Sequence, residues 1–433
     1  MTNKAKVGLI SLGCDKNRVE SEYMLALLAK EFDIVNQLDQ ADVVIINTCG
    51  FIESAVKESI DTIMDASSYG VKIIVTGCLN MRYKNLGDDQ LLPEVSAFVD
   101  NQHYPNICQI VYNVLEGEQE NLKNKGLKEP ISGERILTTP MHYANLRIAD
   151  GCDNHCTYCA IPRIRGGYKA VPPESLVKEV RYLIDNYGTS EFILVAQDVS
   201  RYRYQDVDLL NLLDKIESAG AKKLRLMYCY PEAVSKDLIK RLSFDDKILP
   251  YIDLPLQHVD DVVLKAMNRK STYAEIISLL EDLKSNDITV RSTFISGFPG
   301  ESEEQHQKLL NFIKQGYIDY AGFFPYFREE GTKAYSMPDQ IKQSVKKRRV
   351  SELRAAETEI VLNRANQTVG KTLKVTFDYV DFDKNRFVGH TDRTHPETDP
   401  KVFIKSKTPL ETGREYDVLI KGVTGLDLKG ENV

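Results

Sequence analysis

Gly151-Cys152-Asp153-Asn154-His155-Cys156-Thr157-Tyr158-Cys159 decides the fold. It reads C-x-x-x-C-x-x-C, with no fourth cysteine close by. Iron–sulfur clusters are normally held by four cysteines. Three leave one iron of a cubane without a protein ligand and open to a substrate or cofactor. Zinc also takes such loops, and His155 offers it a fourth ligand. Soft thiolates suit both metals, so the loop alone leaves both readings open.

Outward from the loop, strand and helix patterns alternate. Residues 145–149 read as a strand running into the loop. Residues 172–187 read as a helix, with Leu176, Val180, Leu183 and Ile184 on one face and Gly188 as its stop. Further strands are expected at 191–196, 223–227, 252–256, 289–295 and 320–324. Six β–α units in one run predict a parallel barrel, incomplete, with chemistry at the C-terminal ends of its strands. Gln197-Asp198, Gln257-His258 and Ser296-Gly297-Phe298-Pro299-Gly300-Glu301 fall at those ends. The Gly-x-Pro-Gly run lets a ligand approach the backbone, although alone it is an ordinary turn. His258 reads equally as a core residue or a substrate contact.

Upstream, three apolar runs each end in a cysteine: 7–12 before Gly13-Cys14, 43–47 before Thr48-Cys49, and 73–76 before Gly77-Cys78. They read as buried parallel strands. Helices are expected at 19–30 and 53–66, and a fourth strand at 97–99. Ligands of open α/β sheets bind outside the carboxyl ends of the strands. Cys14, Cys49 and Cys78 are therefore expected to converge as a second three-thiol site. The bland alternative is three unrelated small residues in β–α turns.

The chain has 433 residues and a net charge of −7, so no global basic field calls for nucleic acid. No apolar run is long enough to span a membrane, and the N-terminus enters a strand without a signal-peptide core; the expected location is cytoplasmic. In a reducing cytosol the eight cysteines are not expected to form structural disulfides. Cys108 and Cys229 read as core residues.

Two three-cysteine sites, the dispersed one first, resemble the methylthiotransferase branch of the radical S-adenosylmethionine (SAM) enzymes. Ser11-Leu12-Gly13-Cys14-Asp15-Lys16-Asn17 and Asn47-Thr48-Cys49-Gly50-Phe51-Ile52 carry the resemblance together with the central loop. It implies two [4Fe-4S] clusters, one on Cys152, Cys156 and Cys159 that binds SAM, the other an auxiliary cluster on Cys14, Cys49 and Cys78 that carries the sulfur. It implies SAM contacts at Tyr158, Gln197, Gly297 and Pro299 and an external electron donor. In such enzymes one electron cleaves SAM to methionine and a 5′-deoxyadenosyl radical; a second SAM methylates the sulfur.

From about 368 the pattern changes to short alternating strands, which predict a small antiparallel β-barrel. It resembles a TRAM domain, with Gly389-His390-Thr391-Asp392-Arg393-Thr394-His395-Pro396-Glu397-Thr398-Asp399 as its internal motif. Residues 366–433 hold eleven basic and eleven acidic side chains, a balance that leans toward a protein partner rather than RNA. The basic stretch 342–354 reads as a solvated helix, with an RNA patch as the sharper alternative. The expected fold class is α/β, with an N-terminal parallel α/β sheet domain at 1–117, a linker at 118–138, a partial (β/α)6 radical SAM barrel at 139–365 and the TRAM β-barrel at 366–433.

Within the family, Lys16-Asn17, Glu20-Ser21-Glu22, Arg147–Cys152 and Leu256-Gln257-His258 resemble the group that acts on an aspartate of a small-subunit ribosomal protein. The alternative is the transfer-RNA adenosine (MiaB-like) group, which usually has Gln-Met-Asn after its first cysteine. A ribosome- or RNA-binding metal protein without catalysis is the third reading. Asp15 stands where the first group usually has proline, Gly167-Tyr168-Lys169-Ala170 lacks its usual Ser-Arg, and His395–Pro400 replaces its usual Ala-Pro-Glu-Ile-Asp-Gly.

Overall fold

Three sheets of five or six strands carry the chain in the computed structural model, which describes residues 4–83, 92–122 and 130–433. The first contains β1 (Lys6–Ser11), β2 (Asp33–Ile34), β3 (Val43–Thr48), β4 (Lys72–Gly77), β5 (Val95–Val99) and β6 (Glu120–Leu122), in the order β2-β1-β3-β4-β5-β6, all parallel. Every residue of β3 is buried. Helices cover both faces, as a parallel sheet requires, and the two faces carry separate apolar clusters.

Helix α1 (Asp15–Glu31) begins directly after Cys14, four residues before the expected start. Its first turns bury Lys16, Asn17, Glu20, Ser21 and Glu22, so apolar periodicity understates it. β6 falls inside the segment expected as linker, of which 123–129 lie outside the described residues. Glu120-Asn121-Leu122 at the sheet edge has no apolar alternation to betray it.

The second sheet runs β7 (Tyr143–Arg147), β8 (Glu191–Val195), β9 (Lys223–Leu226), β10 (Ile248–Asp253), β11 (Thr289–Ser296) and β12 (Tyr320–Pro325), parallel and in sequence order. Its two ends do not pair, so this is the expected partial (β/α)6 barrel. The main apolar core fills the layer between strands and helices. Tyr143, Ile193, Val195, Met227 and Tyr251 form a smaller cluster.

The third sheet is a closed five-stranded barrel of β13 (Thr372–Asp381), β14 (Arg386–His390), β15 (Val402–Lys405), β16 (Glu415–Thr424) and β17 (Asp427–Asn432). Its pairs are antiparallel except β15–β17, which is parallel. The loop after β14 docks on the central barrel. Arg225 Nη1 donates to Asp392 O at 3.1 Å, Tyr251 Oη to Asp399 Oδ2 at 2.7 Å and Tyr143 Oη to Glu397 Oε1 at 3.1 Å. Among the described residues, no helix is long and apolar enough to cross a membrane.

Candidate active site: two cysteine triads joined by a buried ion network

Cys14, Cys49 and Cys78 each follow the C-terminal end of a neighbouring strand, β1, β3 and β4. Asn17 ties these ends together. Its Nδ2 donates to Leu12 O at 2.9 Å and to Thr48 O at 3.0 Å, and its Oδ1 lies 3.9 Å from the Sγ of both Cys14 and Cys78. Ser59 brackets Cys49, accepting from its N–H at 3.1 Å and donating to its carbonyl at 2.8 Å. Gly50 is required here: a Cβ would sit 2.7 Å from the Cys78 carbonyl. Burial pushes the Cys78 thiol up to about 12, against the nearby Arg165.

The second triad lies in the loop after β7. Gly151 enters it at φ 72, and a Cβ there would fall 2.1 Å from Gly167 O. Main-chain contacts shape the loop: Cys152 N–H donates to Gly166 O at 3.1 Å and Thr157 N–H to Met267 O at 3.1 Å. Cys152 and Cys156 are buried; burial raises the Cys159 thiol to about 12. Tyr230 Oη stands 3.7 Å from Cys156 Sγ. His155 is exposed, with φ 49.

The segments that carry the two triads meet. Cys78 packs against Ala160 and Ile164, which follow the loop. Arg165 reaches back: its Nη2 donates to Asn17 Oδ1 at 2.7 Å, and its Nη1 to Glu20 Oε1 at 2.8 Å and Asp150 Oδ2 at 3.1 Å. Arg147 Nη1 donates to the same Glu20 oxygen at 2.7 Å. All four charged side chains are buried, two of each sign. Burial works against the Asp150 charge, and Arg165 and Arg147 outweigh it, holding the carboxyl below its usual range. Asp150 in turn accepts from Gly151 N–H at 2.9 Å and Gln197 Nε2 at 3.2 Å, so the network ends at the root of the cysteine loop.

The donor sets suit a cluster better than a single ion. Zinc–thiolate bonds of about 2.3 Å would draw tetrahedral sulfurs to roughly 3.8 Å apart. Among the described residues, the groups close enough to share one ion are His142, Asp378 and His390, and Glu303, His306 and Glu352; neither cysteine triad is among them. Beside the loop, Gln197 Oε1 and the Nε and Nη1 of Arg269 are buried without partners. A polar ligand there would satisfy them.

The other sequence candidates are placed as follows. Tyr158 packs with Val263, Met267 and Phe298. Gly297 and Pro299 are buried on the turn after β11; Gly297 N–H is taken by Glu301 at 2.6 Å and its Cα faces Lys346. His258 is a core residue, fully buried and accepting from Asp260 N–H through Nδ1 at 3.0 Å; burial lowers it to about 3. In the basic helix α2 (Gln343–Gln367), Arg348 and Arg349 pair with Glu303, and Arg349 also with Glu301, as a structural helix does. Sequence reasoning missed Asn17, Arg165 and Arg269. The signal available was Arg147 and Asp150 within a buried strand sequence, since buried charges need partners.

Models of known families cover the three parts. The Radical SAM superfamily matches residues 146–313, the TRAM domain 369–433 and the uncharacterized protein family UPF0004 6–98. The ribosomal protein uS12 methylthiotransferase RimO of Clostridium kluyveri is 41% identical over 99% of this chain and 98% of its own length. The chain belongs to the RimO family. A second RimO, from Clostridium perfringens, is 40% identical over 96% of this chain and 98% of its own. Membership makes the chain a group-transferring enzyme of the radical SAM superfamily, with SAM and a [4Fe-4S] cluster as cofactors. Two solved structures share the fold at low identity. The radical SAM methyltransferase TsrM of Kitasatospora setae has a TM-score of 0.56 at 13% identity, over 88% of this chain and 81% of its own. OxsB, a cobalamin-dependent SAM radical enzyme, has 0.52 at 12%, over 82% and 56%.

Proposed function

We propose that this RimO-family enzyme adds a methylthio group to the β-carbon of an aspartate in a small-subunit ribosomal protein. One cluster would be held by Cys152, Cys156 and Cys159, with SAM beside Tyr158, Gln197, Gly297 and Pro299. An auxiliary cluster would be held by Cys14, Cys49 and Cys78. Loaded, the first site supplies radical chemistry able to take hydrogen from an unactivated carbon, and the second supplies the methylthio sulfur.

The observation that carries the reading is the Arg165 bridge, which sets two triads from different domains side by side. The chain's own residues then have distinct tasks. Asn17 holds the strand ends that present Cys14 and Cys49. Arg165 and Arg147 balance the negative charge of Glu20 and Asp150 in a site closed to water, where such interactions are strong. Asp150 fixes the entry to the cysteine loop and orients Gln197. Tyr230 and Arg269 stack at 4.1 Å against the loop's flank.

The test is an anaerobic incubation of the reconstituted protein with SAM, dithionite, sulfide and either a ribosomal-protein peptide or a transfer-RNA stem-loop. Mass spectrometry reads an added methylthio group. A gain on the peptide supports the reading. A gain on the RNA alone moves the enzyme to adenosine chemistry. A colourless protein holding zinc would overturn both.

A further inference from the structure

A carboxylate substrate needs a cation beside the sulfur-bearing triad, and one buried cation there has no carboxylate within 4 Å among the described residues. Lys16 lies two residues past Cys14 in the first turn of α1 and is 7% exposed. Lysine is almost never this buried unless paired. Its Nζ donates to Ala196 O at 3.3 Å, just past β8, and lies 3.9 Å from the ring centroid of Tyr228. It forms no ion pair within 4 Å among the described residues. The neighbouring cations are committed: Arg18 to Glu397, and Arg291 to Asp399 and, through Nε at 3.7 Å, to Asp253 Oδ1.

Tyr228 is itself built as a platform. It follows β9 at φ 57, a conformation that costs a bulky residue energy and that gathers at functional sites. Its N–H donates to Asp253 Oδ2 at 3.0 Å and its Oη to Asp15 Oδ2 at 3.0 Å. The second carboxylate oxygen of that residue, Asp253 Oδ1, is buried and accepts no hydrogen bond. Around one aromatic ring at the C-terminal mouth of the barrel there are thus an ammonium with no carboxylate within 4 Å among the described residues and a carboxylate oxygen that accepts no hydrogen bond. An aspartyl residue within a peptide offers the complement of both, a side-chain carboxylate and a main-chain N–H.

We propose that Lys16 receives the carboxylate of the substrate residue and Asp253 its main-chain N–H, so that Lys16 selects an acidic side chain for modification. This rests on the proposed function, whose substrate it specifies. A charge-assisted hydrogen bond of this kind discriminates against the neutral isostere by roughly tenfold or more.

The test uses the full-length reconstituted protein and two fluorescein-labelled ribosomal-protein peptides, one with the target aspartate and one with asparagine in its place. Fluorescence anisotropy measures their binding to wild type, Lys16→Met and Lys16→Arg. Wild type is expected to prefer the aspartate peptide by about tenfold. Lys16→Met should weaken the aspartate peptide alone and abolish the preference, and Lys16→Arg should restore it. Asp253→Asn should weaken both peptides equally, since the main-chain N–H is common to them; circular dichroism and iron content report whether each variant folds and loads. If Lys16→Met keeps the wild-type preference while wild type adds methylthio to the aspartate peptide, the Lys16 assignment is overturned and the function stands. If wild type neither discriminates nor modifies the peptide but modifies the RNA stem-loop, the function falls and the assignment with it.

Discussion

Arg165, beyond the central cysteine loop, and Asn17 of α1 share a 2.7 Å hydrogen bond, and the oxygen that accepts it lies 3.9 Å from the Cys14 and Cys78 thiols. Removing the guanidinium would leave two buried carboxylates, Glu20 and Asp150, to Arg147 alone. Arg165→Met is therefore expected to cost about 3–5 kcal/mol. Arg165→Lys keeps the charge and loses the forked geometry, and should fall between. Urea unfolding of the three proteins gives the order; equal midpoints would refute the argument.

The cysteine triads should separate by substitution. Cys14→Ala, Cys49→Ala and Cys78→Ala are each expected to abolish methylthio transfer while SAM is still cleaved. The same change at Cys152, Cys156 or Cys159 should abolish both. Iron should fall from about eight to about four per chain in either set, as expected for two four-iron clusters. Full transfer by any auxiliary-triad variant would sink the two-cluster reading.

The TRAM barrel should loosen at high pH. His390 is buried between Asp378, 2.8 Å from Nδ1, and Glu191, 3.2 Å from Nε2; His142 also meets Asp378, and Arg225 meets Glu191. Burial disfavours the imidazolium, but the two carboxylates outweigh it and raise His390 to about 9. A raised folded pKa contributes stability that is complete below the unfolded value near 6.5 and lost as pH rises through about 9. The effect amounts to about 3 kcal/mol at most. Melting temperatures of wild type and His390→Gln should converge between about pH 6 and about pH 10; a constant gap would speak against it.

Asp399 pins the same barrel from its loop, accepting from Tyr251 Oη and Arg291 Nη1 and from the His395 N–H at 2.8 Å. Asp399→Ala leaves Arg291 without that partner in a largely buried setting, a loss of about 3–5 kcal/mol. The expected sign is earlier proteolytic cleavage in the connection after α2, seen by gel. An unchanged cleavage pattern would show that the loop is not what holds the barrel down.

Apolar runs ending in cysteine placed Cys14, Cys49 and Cys78 at strand ends, because parallel strands buried on both faces must be continuously apolar. Where buried surface is polar, the sequence misleads. α1 hides Asn17, Glu20 and Glu22 inside, so its first turns look like loop. β10 was expected at 252–256 and runs Ile248–Asp253; Pro250 disguises its start, since proline argues against a central strand. β17, Asp-Leu-Lys-Gly-Glu-Asn, closes its barrel with little apolar content. The ion network was illegible for another reason: Glu20 and Arg165 are 145 residues apart, and no local pattern pairs them.

Helix α1 touches all three parts of the fold. Cys14 caps it, Asn17 and Glu20 meet the central barrel, Glu22 meets Arg135, and Arg18 meets Glu397 of the TRAM loop. Inserting one residue directly after Cys14 would turn everything beyond it by about 100° and advance it about 1.5 Å, breaking the contacts of Asn17, Arg18, Glu20 and Glu22 at once. The helix is thus a ruler on which the spacing between the two cysteine triads is marked. A chimera that borrowed its first hundred residues from a relative would have to import the matching arginines, or the marks would no longer line up.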